Sequence, residues 1–180
     1  PTVVDAPHAA PLRFEGGKVE FRGVDFSYVP GRRILHDNSF TALPGQKIGI
    51  CGPTGAGKST IINILTRYYD VDAGEILVDD QPLTDVTIAS LRSNVGMVLQ
   101  EAFLFSDTIM NNLRYAREGA TDEECIAAAR EANAHRFIEA LPDGFDTMLV
   151  ERGANLSQGQ RQMLTIARAM VARPRILILD

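Results

Sequence analysis

Hydrophobic residues first follow the spacing of β-strands along this chain. Between Lys18 and Tyr28 the apolar positions Val19, Phe21, Val24 and Phe26 fall among polar residues, which predicts a pair of strands ending near Tyr28. Short apolar runs predict further strands at 47–51, 75–78, 95–99 and 175–180. Pro30-Gly31 and Leu43-Pro44-Gly45 predict turns between the first of these elements.

Apolar positions at helical spacing separate the strands. They predict one helix from Gly57 to about Tyr68, a second from Thr121 to Asn133 and a third from Ser157 to about Ala172. The second opens with Thr121-Asp-Glu-Glu124, a capping box in which the two side chains satisfy free backbone amides. Because strands alternate with helices and a helical block is inserted among them, the pattern predicts an α/β fold.

The first sixteen residues, 1–16, differ from the rest of the chain. They contain Pro1, Pro7 and Pro11, small residues and little periodicity, which is typical of a linker or an arm.

Composition restricts the class of protein. An apolar fraction of 45% and a charged fraction of 23% over 180 residues indicate a globular domain. The net charge of −5 makes a broad nucleic-acid-binding face unexpected. The chain has no uncharged stretch long enough for a membrane span and no signal-peptide pattern at its start. Cys51 and Cys125 are expected to be buried thiols, so the sequence predicts a soluble domain in a reducing cytosol.

The segment from Gly52 to Ser59 matches the phosphate-loop pattern G-x-x-x-x-G-K-[ST], with a predicted strand before it and a helix after it. Glycines let backbone amides approach phosphate oxygens, and the helix directs its positive end at the same anion. Lys58 would contact the outer phosphates and Ser59 would bind Mg²⁺. A glycine-rich turn without a ligand is the alternative. The predicted phosphate-binding residues are Gly52, Pro53, Thr54, Gly55, Ala56, Gly57, Lys58, Ser59 and Thr60.

Asp180 follows the apolar run 176–179. Ligands of open α/β sheets bind at the carboxyl ends of strands, and an aspartate at such a position holds Mg²⁺ in phosphate-loop proteins. The sequence therefore predicts Asp180 as a second metal ligand.

Three further motifs resemble those of the ATP-binding cassette (ABC) family. The segment 155–160, Asn-Leu-Ser-Gln-Gly-Gln, resembles the ABC signature, with Gln158 in place of its first glycine. Gln100 follows an apolar strand and resembles the Q-loop glutamine, and Tyr28 resembles the aromatic residue that stacks on adenine. The resemblance extends from Val19 to Asp180.

The resemblance implies a fold and a set of site residues. The fold would be a phosphate-loop NTPase core with a mainly parallel sheet, an N-terminal antiparallel β element and an inserted helical subdomain. The core would comprise 17–100 and 174–180, and the helical signature subdomain 101–173. The implied cofactors are ATP and Mg²⁺. The implied catalytic residues are Lys58, Gln100 and Asp180, the metal ligands are Ser59, Gln100 and Asp180, and the residues that contact the nucleotide of a partner are Ser157, Gly159 and Gln160.

Shorter motifs resemble the exporter branch of the family. Glu151-Arg152-Gly153 resembles the element that touches the coupling helices of a membrane domain, and Phe103-Leu-Phe105 is similar to the same branch. The resemblance implies an ATPase motor at the cytoplasmic face of a membrane, joined to a membrane domain through 1–16. It also implies a head-to-tail dimer with a second nucleotide-binding domain, and no nucleic-acid partner.

Two alternatives remain open at this point. They are a soluble ABC-type ATPase and a nucleotide sensor that does not hydrolyse ATP. In the family a glutamate that polarises the attacking water normally follows the position of Asp180. We therefore expect these 180 residues to be an incomplete domain that is inactive in hydrolysis on its own.

Overall fold

A computed structural model of the chain describes residues 2–53, 57–98 and 103–180. They form two compact units, the first ending at Val95 and the second beginning at Gly96. The predictions at Thr54, Gly55, Ala56 and Gln100 lie outside the described residues.

An antiparallel sheet forms most of the first unit. Strand β1 (Val19–Val29) pairs with β2 (Arg32–Ala42), and on its other side with β3 (Ala73–Val78), which pairs with β4 (Gln81–Pro82). The strand order is β2-β1-β3-β4. The predicted N-terminal antiparallel element is therefore present. The strand pair predicted before Tyr28 is instead one long strand, whose partner β2 follows the turn at Pro30-Gly31.

Alternation in β1 explains which face of the sheet is buried. Val19, Phe21, Val24 and Phe26 are all buried. Side chains two positions apart along a strand lie on the same face, which accounts for Val19 with Phe21 and for Val24 with Phe26. The pairing of β1 with β2 shifts register between Phe21 and Val24, which are three positions apart, so Val24 lies on the same buried face as Phe21. The sheet therefore has one apolar side.

Two helices complete the first unit, α1 (Lys58–Leu65) and α2 (Ile88–Ser93), with a 3₁₀ turn at Leu83–Asp85. The strand predicted at 47–51 is not found: these residues have no regular structure, and Ile48 and Ile50 are exposed. A strand needs hydrogen bonds to a neighbouring strand, and no described strand pairs with this segment. The mainly parallel sheet stays a prediction. Cys51 is exposed, so its predicted burial is wrong, whereas Cys125 is buried as predicted.

The arm at residues 2–17 is bound to the first unit through backbone hydrogen bonds. Ala10 forms a β-bridge with Val86, and the Leu12 amide donates to the Ser90 hydroxyl at 2.8 Å. A single carboxylate fixes the end of the arm. Asp79, which is buried, accepts from the amides of Glu15 at 2.7 Å, Gly17 at 3.0 Å and Lys18 at 2.8 Å.

The second unit is mainly helical. Its helices are α3 (Ile109–Arg114), α4 (Asp122–Glu131), α5 (His135–Glu139) and α6 (Gln158–Val171). Its strands β5 (Val95–Val98) and β6 (Ile176–Leu179) pair with each other, and 3₁₀ turns occur at Gly144–Asp146 and Glu151–Gly153. The predicted helices at 121–133 and 157–172 are confirmed, and so is the predicted capping box between Thr121 and Glu124.

Apolar side chains between α3, α4 and α6 form the core of the second unit. Leu113, Cys125, Ala129 and Leu164 are among its fully buried members. Charged groups join the helix ends at its rim: Glu124 binds Arg117 and lies 2.6 Å from Arg173. The Thr121 amide and the Arg117 guanidinium lower the pKa of Glu124.

Among the described residues, no helix has the length and apolar character needed to span a membrane.

The Asp79 carboxylate gives a first testable prediction. Asp79→Asn keeps the shape and the tolerance for the positive φ of 47°, but replaces charged acceptors by an amide. We expect the free energy of unfolding to fall by about 1.5–3 kcal/mol, because hydrogen bonds to a charged group are lost inside the protein. Urea denaturation measures this change, and faster amide hydrogen exchange at residues 15–18 would locate it.

Asp80→Asn is the matched control. Asp80 also has a positive φ, and its exposed carboxylate lies 2.7 Å from Lys18 Nζ. Solvent screens an exposed ion pair, so this variant should lose much less stability. Equal losses in the two variants would contradict the anchoring role of Asp79.

Candidate nucleotide-binding site

The loop that precedes α1 ends in a backbone conformation that favours glycine. Gly57 has φ 99°, and a Cβ added there would lie 3.0 Å from Leu35 Cδ2, a side chain of β2. Only glycine avoids both the left-handed strain and this contact. The chain can therefore turn at Gly57 directly into α1, with the Gly57 backbone against β2.

Lys58 is the first residue of α1, and its Nζ donates a hydrogen bond to the carbonyl of Gly52. The ammonium group thereby connects the two ends of the predicted phosphate loop. The first helical hydrogen bond runs from the Ile61 amide to the Gly57 carbonyl at 3.0 Å. The amides of 58–60 consequently lie at the positive end of the helix, where an anion is stabilised.

The hydroxyl groups that follow Lys58 have different surroundings. Ser59 is exposed, so its hydroxyl is accessible to a ligand, whereas Thr60 is buried. Thr60 Oγ1 lies 3.1 Å from the hydroxyl of Tyr28 at the end of β1. The helix after the loop is thus directly bonded to the predicted adenine-stacking residue.

Tyr28 is held at both ends of its side chain. Its ring makes nearly perpendicular contacts with Phe26 at 4.8 Å and Tyr69 at 5.0 Å between ring centroids. Its hydroxyl accepts a hydrogen bond from Asn63 Nδ2 at 3.0 Å. The side chain is nevertheless 43% exposed, which leaves ring surface available to a ligand.

Asn63 is a site residue that the sequence analysis missed. It lies on α1 beyond the phosphate-loop motif, and no pattern in the sequence marks it as different from a solvated helix residue. The detectable signal is its spacing: positions 60 and 63 are three apart, so the two side chains share one face of the helix.

The predicted signature begins helix α6 in the second unit. Ser157 Oγ accepts from the Gln160 amide at 3.2 Å, and Gln160 Oε1 accepts from the Ser157 amide at 3.0 Å. This reciprocal pair is a capping box, as predicted from its sequence. Ser157, Gln158 and Gly159 are exposed, and a Cβ added at Gly159 would meet open space. The start of α6 is therefore accessible.

A tight turn at Glu151–Gly153 is bonded to the same helix. Gly153 has φ 67°, and a Cβ there would lie 2.9 Å from Leu104 Cδ1. Arg161 Nη1, on α6, donates to the carbonyls of Leu156 at 2.7 Å and Gly153 at 3.4 Å. The turn and the signature therefore share one arginine and form a connected structure.

Asp180 is the exposed residue that follows β6, and its amide donates to the carbonyl of Val98 at 2.9 Å. The end of β6 thus lies beside the end of β5, the strand that leads toward Gln100. The predicted residues are divided between the two units. The first contains Tyr28 and 52–60, and the second contains Asp180 and the signature.

Within 2–53, 57–98 and 103–180, no group of three or more histidine, cysteine, aspartate or glutamate residues could hold a metal ion. The exposed Ser59 hydroxyl and the exposed Asp180 carboxylate are oxygen donors of the kind that Mg²⁺ prefers.

An aromatic groove of about 350 Å³ lies in the second unit. Its lining includes Phe103, Phe105 and Tyr115, of which Phe103 is 51% and Tyr115 72% exposed. Arg168 lies in the same groove, and burial lowers the pKa of its guanidinium. Its Nη1 is buried without a hydrogen-bond partner in the part of the chain that the structure describes. The groove thus combines exposed aromatic surface with a cation that lacks a partner on one nitrogen.

A glycine-lysine loop leading into a helix, with an aromatic ring bonded to that helix, is typical of nucleotide-binding domains of the phosphate-loop class. Comparison with known proteins identifies the family. The model of the ABC transporter family matches residues 35–180, and the chain belongs to that family.

Several relatives resemble the chain over almost its whole length. It is 49% identical over 178 residues to ATP-binding cassette sub-family B member 6 of Rattus norvegicus, covering 99% of this chain and 21% of that protein. It is 49% identical over 176 residues to the uncharacterized ABC transporter ATP-binding protein YfiC of Bacillus subtilis (strain 168), covering 98% of this chain and 29% of that protein.

A solved structure of a bacterial Atm1-family ABC exporter with ATP bound is also similar. It shares 45% identity and a TM-score of 0.84 with the chain, covering 99% of this chain and 32% of that one. The chain thus spans between about a fifth and a third of the length of these relatives.

Proposed function

We propose that this chain is the ATP-binding motor domain of an ABC exporter, and that its parent protein couples ATP binding and hydrolysis to export. The observation that carries the proposal is the loop ending at Gly57, where Lys58 joins the two loop ends and α1 presents its first amides. Family membership and the similarity to an exporter with ATP bound support it. A soluble ABC-type ATPase and a non-hydrolysing sensor are less favoured, because the relatives above include an exporter and transporter proteins.

In this proposal the phosphates of ATP bind the backbone and side chains of 52–60, and adenine stacks on Tyr28. Lys58 exchanges its hydrogen bond with the Gly52 carbonyl for one with a phosphate oxygen. This exchange favours binding because a charge-assisted bond to phosphate is stronger than one to a neutral carbonyl. The exposed ring surface of Tyr28 is consistent with stacking.

Mg²⁺ would be held by Ser59, Gln100 and Asp180 together with phosphate oxygens. Once bound, the ion would neutralise charge on the outer phosphates. Ser59 and Asp180 both offer exposed oxygens, which supports their part in the set. We assign Lys58, Gln100 and Asp180 as catalytic residues because they match the motifs of the family.

We propose that another nucleotide-binding domain pairs with this one in a head-to-tail dimer. Ser157, Gly159 and Gln160 would contact the nucleotide bound by that partner. The exposed start of α6, its capped hydroxyl and the open space beside Gly159 support this role, because a helix start attracts an anion.

We propose that a membrane domain contacts the second unit near Glu151, Arg152 and Gly153. Glu151 and Arg152 are exposed, and Arg161 joins their turn to the signature helix. The groove with Phe103 and Tyr115 extends the contact surface, because exposed aromatic patches mark sites of association.

Attachment to a membrane domain would determine where this chain operates in the cell and how its segments are arranged. We propose that the domain operates at the cytoplasmic face of the cell membrane, with 1–16 leading from the membrane domain. The core would comprise 17–100 with 174–180, and the helical subdomain 101–173. The resemblance puts the water-polarising glutamate directly after Asp180, so we propose that the 180 residues bind ATP without hydrolysing it at a significant rate.

Replacement of Lys58 tests the phosphate-loop assignment. Lys58→Ala should lower the affinity for ATP about 10- to 100-fold, since a hydrogen bond to a charged group is worth about 1.5–3 kcal/mol. Titration with a fluorescent ATP analogue measures the affinity. Lys47→Ala is the control, because Lys47 is an exposed lysine shortly before the loop and should affect binding less than twofold. Equal affinities of the Lys58 variant and the unmodified chain would refute the assignment.

Ser157→Asp in the parent protein tests the dimer. Aspartate is as good an N-cap as serine, so α6 should still form, but its charge would repel a phosphate of the partner's nucleotide. We expect ATP binding to stay within about twofold and phosphate release to fall about 100-fold or more, the size expected for losing a contact to developing charge.

Ser157→Thr is the control for this experiment. Threonine keeps both the cap and the neutral charge, so turnover should stay near that of the unmodified parent. A proportional loss of binding and turnover in the aspartate variant would place Ser157 in the site of its own chain, and the dimer proposal would be wrong.

A further inference from the structure

The hydroxyl group of Tyr28 is bonded to the helix that starts at the phosphate loop. Asn63 Nδ2 donates to it at 3.0 Å, and Thr60 Oγ1 lies 3.1 Å away. Base stacking uses only the face of an aromatic ring and has no need of a hydroxyl. The contacts of the hydroxyl instead connect the ring to α1.

The remaining contacts of the Tyr28 ring are with two aromatic rings outside α1. Phe26 belongs to the same strand, β1, and Tyr69 lies beyond the end of α1. Ring-to-ring contacts tolerate sliding, whereas a hydrogen bond requires a particular distance and angle. Of the two hydroxyl partners, Thr60 belongs to the proposed phosphate site, so Asn63 is the group that can be dedicated to Tyr28.

The position of Asn63 on α1 has a consequence for ligand recognition. Lys58 at the start of α1 would bind the phosphates, and Asn63, five residues later in the same rigid helix, holds the aromatic ring. One helix thus sets the distance between the group that binds phosphate and the surface that binds the base. A ligand that has both parts at the matching separation gains from this arrangement.

We propose that Asn63 is a positioning residue that orients the Tyr28 ring for the base of a purine nucleotide. The inference rests on the proposed function and adds a residue outside the known phosphate-loop pattern. Asn63 should contribute to the binding of the base and not to the binding of the phosphates, so the two contributions to ATP affinity can be measured separately.

The test compares ATP with inorganic tripolyphosphate, which has the phosphates but no base. Asn63→Leu keeps the approximate shape and removes the donor, and Tyr28→Phe removes the acceptor. Each variant should weaken ATP about three- to tenfold, the loss expected for a misaligned aromatic contact. Each should leave the affinity for tripolyphosphate unchanged, as calorimetry can measure for both ligands.

A double variant makes the test specific for this hydrogen bond. Both variants remove the bond between Asn63 and Tyr28, and Tyr28→Phe also removes the contact with Thr60. The double variant should therefore bind ATP no more weakly than Tyr28→Phe alone. Additive losses would overturn the inference. A parallel loss of tripolyphosphate binding would also overturn it, because it would show that Asn63 supports the fold of the loop.

The remaining outcomes separate this inference from the proposed function. If the unmodified chain binds ATP but Asn63→Leu does not change the affinity, the inference alone is wrong. If the unmodified chain binds neither ligand, the proposed function is wrong and the inference with it. Should Asn63→Leu fail to fold by circular dichroism, Asn63→Ala and Tyr28→Phe provide the same comparison.

Discussion

The transition from loop to helix at Gly57 is the constraint on which the candidate site of the first unit depends. A left-handed residue packed against Leu35 starts α1 at this point, and the register of the helix then places Lys58, Thr60 and Asn63. Lys58 reaches the carbonyl of Gly52, while Thr60 and Asn63 reach the hydroxyl of Tyr28. A change in where the helix begins would move all three side chains at once, since successive residues rotate by about 100° around the axis.

The second unit uses the start of a helix in a similar way. A capping box fixes the first turn of α6, so Ser157 and its neighbours are ordered although they are exposed. Arg161, one turn later, bonds to the carbonyl of Gly153 and so connects this helix start to the turn at Glu151–Gly153. In both units, a basic side chain of the helix donates hydrogen bonds to carbonyls of the preceding chain: Lys58 to Gly52, and Arg161 to Leu156 and Gly153.

Features encoded by neighbouring residues could be predicted from the sequence. The capping boxes at Thr121 and Ser157 depend only on residues three positions apart, and both are present. Features that depend on distant pairing could not. The segment 47–51 has an apolar strand pattern, but no described strand pairs with it. The arm at 2–17 has no periodicity, yet Asp79 holds it through backbone amides, which the identity of side chains does not reveal. Asn63 was missed for a related reason, because its partner Tyr28 is 35 positions away.

The proposed motor function depends on binding of ATP by the loop at 52–60. Amide chemical shifts of the ¹⁵N-labelled chain, recorded during titration with Mg·ATP, measure it residue by residue. We expect the largest shifts on the amides of Gly57, Lys58, Ser59 and Thr60, with further shifts at Tyr28 from the ring current of adenine. Shifts spread over the surface, or confined to the second unit, would contradict this prediction.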